Sequence, residues 1–237
     1  YDFRTAMRAQ GIFGRLTTPN RDNAQRLGSL ADTWLMRWNR LRYGPDAPLS
    51  DECLEVDLSL IRHRYRPQGT RQVPRFRRRH SGLVLGGDWD LSVAPIEGAL
   101  KERACAAHFR HGVPWERTEL FAKLRREMEA QGEVDGCRSV AELGQRYALL
   151  DRIHEEASLT GRLRRQCELH DYFRREYGGI YVHLARDGTL LHSSGGAHRL
   201  AIARLLELPR VPVQLGVVHR AALIGGQLAA LRARSGG

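Results

Sequence analysis

Lysine is nearly missing from this chain. Among 237 residues only Lys101 and Lys123 carry an ammonium group, and the remaining permanent cations are all arginine. Such a bias is what GC-rich coding produces, so part of the formal net charge of +11 is compositional. The charge still favours an anionic partner: a nucleotide, a nucleic acid or an anionic membrane surface. Cysteine is scarce too. Cys53, Cys105, Cys137 and Cys167 stand far apart without a CxxC pair, which argues against structural zinc and fits a reducing, cytoplasmic setting. No run of about 18 apolar residues occurs, so no transmembrane helix is expected. The histidines His108, His111, His154, His170 and His183 do not form HExxH. A G-x-S-x-G elbow, a Walker A GK[ST] element and a G-x-G-x-x-G fingerprint are likewise absent, which removes the commonest hydrolase and dinucleotide signatures. The opening Tyr1-Asp2-Phe3-Arg4 has no charged-then-apolar signal order and no initiator Met, and reads as a start whose native residues lie upstream.

What is present suffices for one domain with a helical extension, since 42% of the residues are hydrophobic. Residues 1–50 read as the extension. Leu27, Leu30, Trp34 and Leu35, then Trp38 and Leu41, recur near helical spacing before Gly44-Pro45 breaks the helix. Its tryptophans suit packing on the main domain or contact with a membrane, and packing is the expected use. Residues 51–237 read as the domain. Leu54, Val56 and Leu58 alternate with Glu55 and Asp57, a half-buried strand. Leu83-Val84-Leu85 reads as a second strand. A helical insertion is expected at about 95–177, with helices over 95–109, 114–131, 139–158 and 162–177. A strand over 180–185, a turn at Asp187-Gly188, a strand over 189–192, a helix over 198–207, a strand over 211–218 and a terminal helix over 219–233 follow. This order predicts an α+β fold with a small mixed sheet.

The most informative segment is Asp187 to Ala203. A strand ends, Ser194-Gly195-Gly196-Ala197 turns, and a helix opens on His198-Arg199. Glycines at a helix start let backbone N–H groups approach a phosphate, where the helix dipole adds positive charge. The basic run 71–80, RQVPRFRRRH, reads either as a second phosphate-binding element or as a solvated loop. Gly86-Gly87-Asp88-Trp89-Asp90 brings two carboxylates after an apolar strand. In an extended segment Asp88 and Asp90 share a face, where one could act as a general base and the other hold Mg²⁺. The competing reading is a turn capped by its aspartates with Trp89 in the core. Trp115-Glu116-Arg117-Thr118 reads as a helix start, and Tyr147 with Asp151 as an i, i+4 pair on one helix face.

These elements resemble the ParB/sulfiredoxin superfamily. The resemblance rests on Ile180-Tyr181-Val182-His183-Leu184, Arg186-Asp187-Gly188, the stretch Gly195 to Ala203, and Val211-Pro212-Val213 before His219-Arg220. Leu54 to Leu60 resembles the family's opening strand. The clear match spans about 40 residues, within a weaker frame from 53 to 220. Sulfiredoxins bind ATP and use the cysteine of a Gly-Gly-Cys-His-Arg motif. Here that position is Ala197, so their redox chemistry is not expected. Partition proteins bind CTP, and free-serine kinases move a phosphoryl group to a hydroxyl. The kinase branch conflicts least with these residues. The resemblance therefore implies binding of ATP, or another nucleoside triphosphate, with Mg²⁺. It implies phosphate contacts from Arg186, Asp187, Ser194, Gly195, Gly196, Ala197, His198 and Arg199; from the reading of the GGDWD segment, Asp88 and Asp90 are the expected catalytic and Mg²⁺-binding residues. The acceptor would be a small hydroxyl compound or a glycan or lipid precursor. The alternatives are a nucleic-acid-binding or nuclease protein and a non-catalytic nucleotide sensor.

Overall fold

The computed structural model describes residues 21–67, 73–165, 168, 179–193 and 195–236, with the backbone alone for 21–31. The fold is α+β. Helix α1 (Arg21–Tyr43) leads into strand β1 (Cys53–Asp57), and β2 (His63–Tyr65), β3 (Val84–Leu85) and β4 (Val93–Pro95) follow. Three helices then intervene: α2 (Leu100–His111), α3 (Glu119–Gln131) and α4 (Val140–Thr160). The chain returns through β5 (Ile180–Leu184), β6 (Leu190–His192), α5 (Ala197–Leu205) and β7 (Arg210–His219). It ends in α6 (Arg220–Ile224) and α7 (Gln227–Ser235). The expected helix over 162–177 lies mostly outside the described residues, and its first positions, 162–165, are not helical.

The sheet runs β1-β7-β5-β6-β2-β4, with β3 paired to the far end of β7. β7 lies parallel to β5 and antiparallel to β1. Two expectations need correction. Residues 93–95 are an edge strand on β2 rather than a helix start. An edge tolerates Pro95, which has no N–H to give, and α2 begins only at Leu100. The terminal helix is two helices, because Gly226 takes a left-handed φ of +77° between them.

One face of the sheet buries Val56, Ile180, Val182, Leu184, Val211, Val213 and Leu215 against α5 and α7. Each such side chain contributes about 2 kcal/mol of burial. The other face carries Tyr65, Phe76, Trp89, Leu191 and Val217, with His183 ringed by Tyr65, Phe76, Trp89 and Tyr181. The β5–β7 register shifts between Val182 and Leu184. Gly216 sits at that shift because a Cβ there would strike the His183 and Tyr181 rings. A separate helical core gathers Cys105, Trp115, Phe121, Leu124, Leu143 and Tyr147. Helix α5 joins the two cores: Leu200 and Ala203 face the sheet, and Ala201 faces the helices.

Candidate functional site

The glycine turn forms where β6 ends beside the start of β5. Tyr181 donates its N–H to the Gly195 carbonyl at 3.2 Å, and Gly196 caps α5 with φ +71°. A side chain at 196 would run into the Gly179 carbonyl, so only glycine fits. Gly195, Gly196 and Ala197 are half-buried, which leaves the helix start reachable.

Beside this turn lies Arg78, from the basic run. Its guanidinium occupies the space where a Gly195 Cβ would stand and lies 5.4 Å from the Tyr181 ring centre. It donates to the Gly179 carbonyl and to Gln214 Oε1, each at 2.5 Å. Gln214, fully buried, passes its own amide hydrogen to Asp51 Oδ1 at 2.7 Å. Arg78 is thereby aimed rather than solvated, and the run 71–80 splits: Arg78 builds the turn, while Arg75, Arg77 and Arg79 stay exposed. Arg71 and Gln72 lie outside the described residues.

Two further cations approach from other elements. Arg64 on β2 pairs in register with His192, and its Nε is buried without a hydrogen-bond partner. Lys101 comes from the first turn of α2 and pairs with Asp135 at 3.9 Å. The His192 Nε2–H donates to the Gly195 carbonyl at 2.9 Å. Burial, together with the charges of Lys101, Arg64 and Arg78, pushes this imidazole down to about 4, so it stays neutral. Three cations drawn from three separate elements thus act on the His192 ring beside the glycine turn.

Several expected site residues are placed elsewhere. Arg199 is buried and donates to the Arg164 carbonyl, tying the end of the helical block to α5. The His198 ring turns inward, accepting from the Cys105 thiol at 3.7 Å and meeting the Tyr147 ring edge-on. Burial lowers His198 to about 3 and raises Cys105 to about 12, so both stay neutral. Both side chains have contacts within the fold. Ser194 lies outside the described residues. Of the expected cradle, the backbone of Gly195 to Ala197 remains at the helix start.

Arg186, Asp187, Asp88 and Asp90 come together, but at the other end of β5. Arg186 lies five positions after Tyr181, about 16 Å of extended chain. There Arg186 donates from its backbone N–H and its Nε to Asp90 Oδ2, at 3.0 and 2.8 Å, and from a terminal nitrogen to Asp90 Oδ1 at 2.6 Å. It also reaches Asp88 Oδ1 at 2.9 Å and the Gly87 carbonyl at 2.8 Å. The His219 Nε2–H donates to the same carbonyl at 2.9 Å. Burial raises the Asp90 carboxyl, the Arg186 hydrogen bonds lower it, and the lowering wins. Asp187 closes the hairpin by accepting from the Thr189 N–H. Residues 89–91 form a short 3-10 turn, so Asp88 points outward while Trp89 and Asp90 are buried. The shared-face expectation fails for that reason. Asp90 has both oxygens on one guanidinium, which leaves it ill suited to be a base or a Mg²⁺ ligand. Among the described residues no group of three or more His, Cys, Asp or Glu gathers around a point that could hold a metal ion.

The two helical readings have structural outcomes. Trp115 starts a 3-10 turn, packs on Tyr147 and donates its indole N–H to Asp151 Oδ1 at 2.7 Å. Tyr147 and Asp151 do share a face, used to seat Trp115. Sequence reasoning missed Arg64 and Gln214, which sit in strands and carry no local signal. No helix among the described residues is long and apolar enough to cross a membrane. Comparison of the chain with protein-family models, with curated proteins and with solved structures found no match in any of the three.

Proposed function

We propose that this chain binds a nucleotide by its phosphates at the start of α5. The observation that carries the reading is a glycine-capped helix start with the Arg78 guanidinium against Gly195, beside a His192 ring that also feels the charges of Arg64 and Lys101. An anion placed there meets backbone N–H groups, a positive helix end and the field of these positive side chains. The resemblance to the ParB/sulfiredoxin superfamily points to ATP or another nucleoside triphosphate, with Mg²⁺ carried in by the nucleotide. The phosphotransfer to a hydroxyl acceptor that the resemblance implies keeps its phosphate end. Asp88 and Asp90, held on Arg186 at the other end of β5, are poor candidates for its base and metal ligands. The proposal therefore extends to binding, and the sensor form of the reading gains on the kinase form.

A thermal-shift panel of ATP, ADP, CTP and GTP with Mg²⁺ tests it. Ligand at about 100 times its Kd should stabilise the fold by about 2.7 kcal/mol. Arg78→Ala should weaken binding about 10- to 100-fold, the loss of a charge-assisted hydrogen bond to phosphate. Arg78→Lys, which keeps the charge, should lose less and guards against misreading a folding defect. Absence of any shift at millimolar nucleotide, or an unchanged affinity in Arg78→Ala, would sink the reading.

A second reading has its own observation. Arg75, Arg77 and Arg79 are exposed beside the same turn. Together they would suit a nucleic-acid backbone, with affinity falling steeply as salt rises. A mobility-shift titration at two salt concentrations separates this from binding of a free nucleotide.

A further inference from the structure

Helix α1 is mounted with its polar side inward. Asp32 and Asn39 are buried, at 6% and 2% exposure, while Trp34, Trp38 and Leu41 are 71%, 51% and 84% exposed. Asn39 fixes this orientation by donating to the Gly82 carbonyl at 2.7 Å and to the Pro48 carbonyl at 3.4 Å. At about 100° per residue, Trp34, Trp38 and Leu41 fall within an arc of about 60°, with Arg37 on one border and Arg42 on the other. Both arginines are exposed. The expectation that the tryptophans pack on the main domain is therefore reversed.

We propose that this face of α1 docks on an anionic lipid surface, a role independent of the nucleotide reading. Charge decides the occupant. The first 43 residues hold eight arginines and three aspartates, with no lysine or glutamate. A second copy of this chain would bring the same positive borders against one another. Negatively charged headgroups are complementary to them. The side-chain chemistry fits a bilayer interface as well. Indole rings settle at headgroup level, a leucine reaches the acyl boundary, and arginines at the rim extend their stems to the phosphates. In the sequence the same apolar spacing continues toward the N-terminus at Leu27 and Leu30. From Leu27 to Leu41 a helix runs about 21 Å, long enough to lie along the surface.

Flotation of the full chain with vesicles tests this. One set is pure phosphatidylcholine, and the other contains one-third phosphatidylglycerol. The expected result is binding to the anionic set alone, with a blue shift of tryptophan emission. Trp34→Ser/Trp38→Ser should weaken it about tenfold or more through lost apolar burial. Arg37→Ala and Arg42→Ala should each cost about fivefold. All four side chains are exposed, and an unchanged far-ultraviolet circular dichroism spectrum verifies that the variants fold. Binding that survives Trp34→Ser/Trp38→Ser would trace to the global charge and overturn the proposal. So would the absence of vesicle binding, or a dimer in size-exclusion chromatography that the double variant dissolves, which would give the face to a second copy.

Discussion

The two ends of strand β5 both carry arginine, and they use it in opposite ways. At the Arg186 end a single guanidinium meets Asp90, Asp88 and a carbonyl, so positive charge is matched inside the fold. At the Tyr181 end Arg78 lies against a glycine-capped helix start, and Arg64 and Lys101 add their charge at the neighbouring His192. The carboxylates at that end are Asp51, which accepts from Gln214 at 2.7 Å, and Asp135, which pairs with Lys101 at 3.9 Å. A charge that finds its partner within the chain fastens structure. Cations set around a turn that presents backbone N–H groups can also serve an anionic partner from outside. Type and number of residues do not separate these roles. Where the opposite charge sits does.

Acid gives the largest expected difference between the two ends. Burial, aided by neighbouring positive charge, lowers His80 and His192 to about 4, and His183 to about 3. Their folded values lie below the ordinary one, so the stability they confer is present above pH 6.5 and is lost as pH falls from about 6.5 toward 4. At pH 5 each should cost up to about 2 kcal/mol. The Asp90 carboxyl is lowered, so its clamp on Arg186 persists until the pH drops below its ordinary value of 3.8. Urea midpoints should fall steeply between pH 7.5 and 5. Hydrogen exchange should rise first around His80 and His192 and only later around residues 87–90. Simultaneous opening of both ends would contradict this order.

A smaller effect is expected from Asp90→Asn, which sets an amide against the Arg186 donors. It should cost about 2 kcal/mol by chemical denaturation and leave nucleotide affinity within error. If it weakened the nucleotide more than Arg78→Ala does, the phosphates would belong at the Arg186 end. Smallest of all is Asp88→Asn. This aspartate side chain is 68% exposed and meets one nitrogen of an arginine already held by Asp90, so the change should stay within about 0.5 kcal/mol.

Much of the fold was legible because it is local. Alternation marked β1, apolar runs marked β5 and β7, and the Asp187-Gly188 turn set the hairpin. The three-residue strands β2 and β4 were not legible, since His63–Tyr65 and Val93–Pro95 are too short to show a period. The candidate site was half legible. The glycine pair has a local signature, but Arg78 becomes part of the site through Gln214, 136 residues away. The partner of Asp90 lies 96 residues away, so its ion pair left no trace near the GGDWD segment. Helix α1 teaches the same lesson. Its spacing reveals an apolar face, yet the direction of that face is set by a hydrogen bond to Gly82, 43 residues on.

Helix α5 contributes Leu200 and Ala203 to the sheet core and Ala201 to the helical core. It therefore works as a splint shared by two halves, with α4 as a second link through Tyr147 and Ala157. Loosening either core frees one side of the splint and weakens its hold on the other, so the two halves should melt cooperatively, in one transition. A phosphate held at the first turn of that splint would raise the melting point of both halves at once. Occupancy of a site a few residues wide would then be readable anywhere in the molecule.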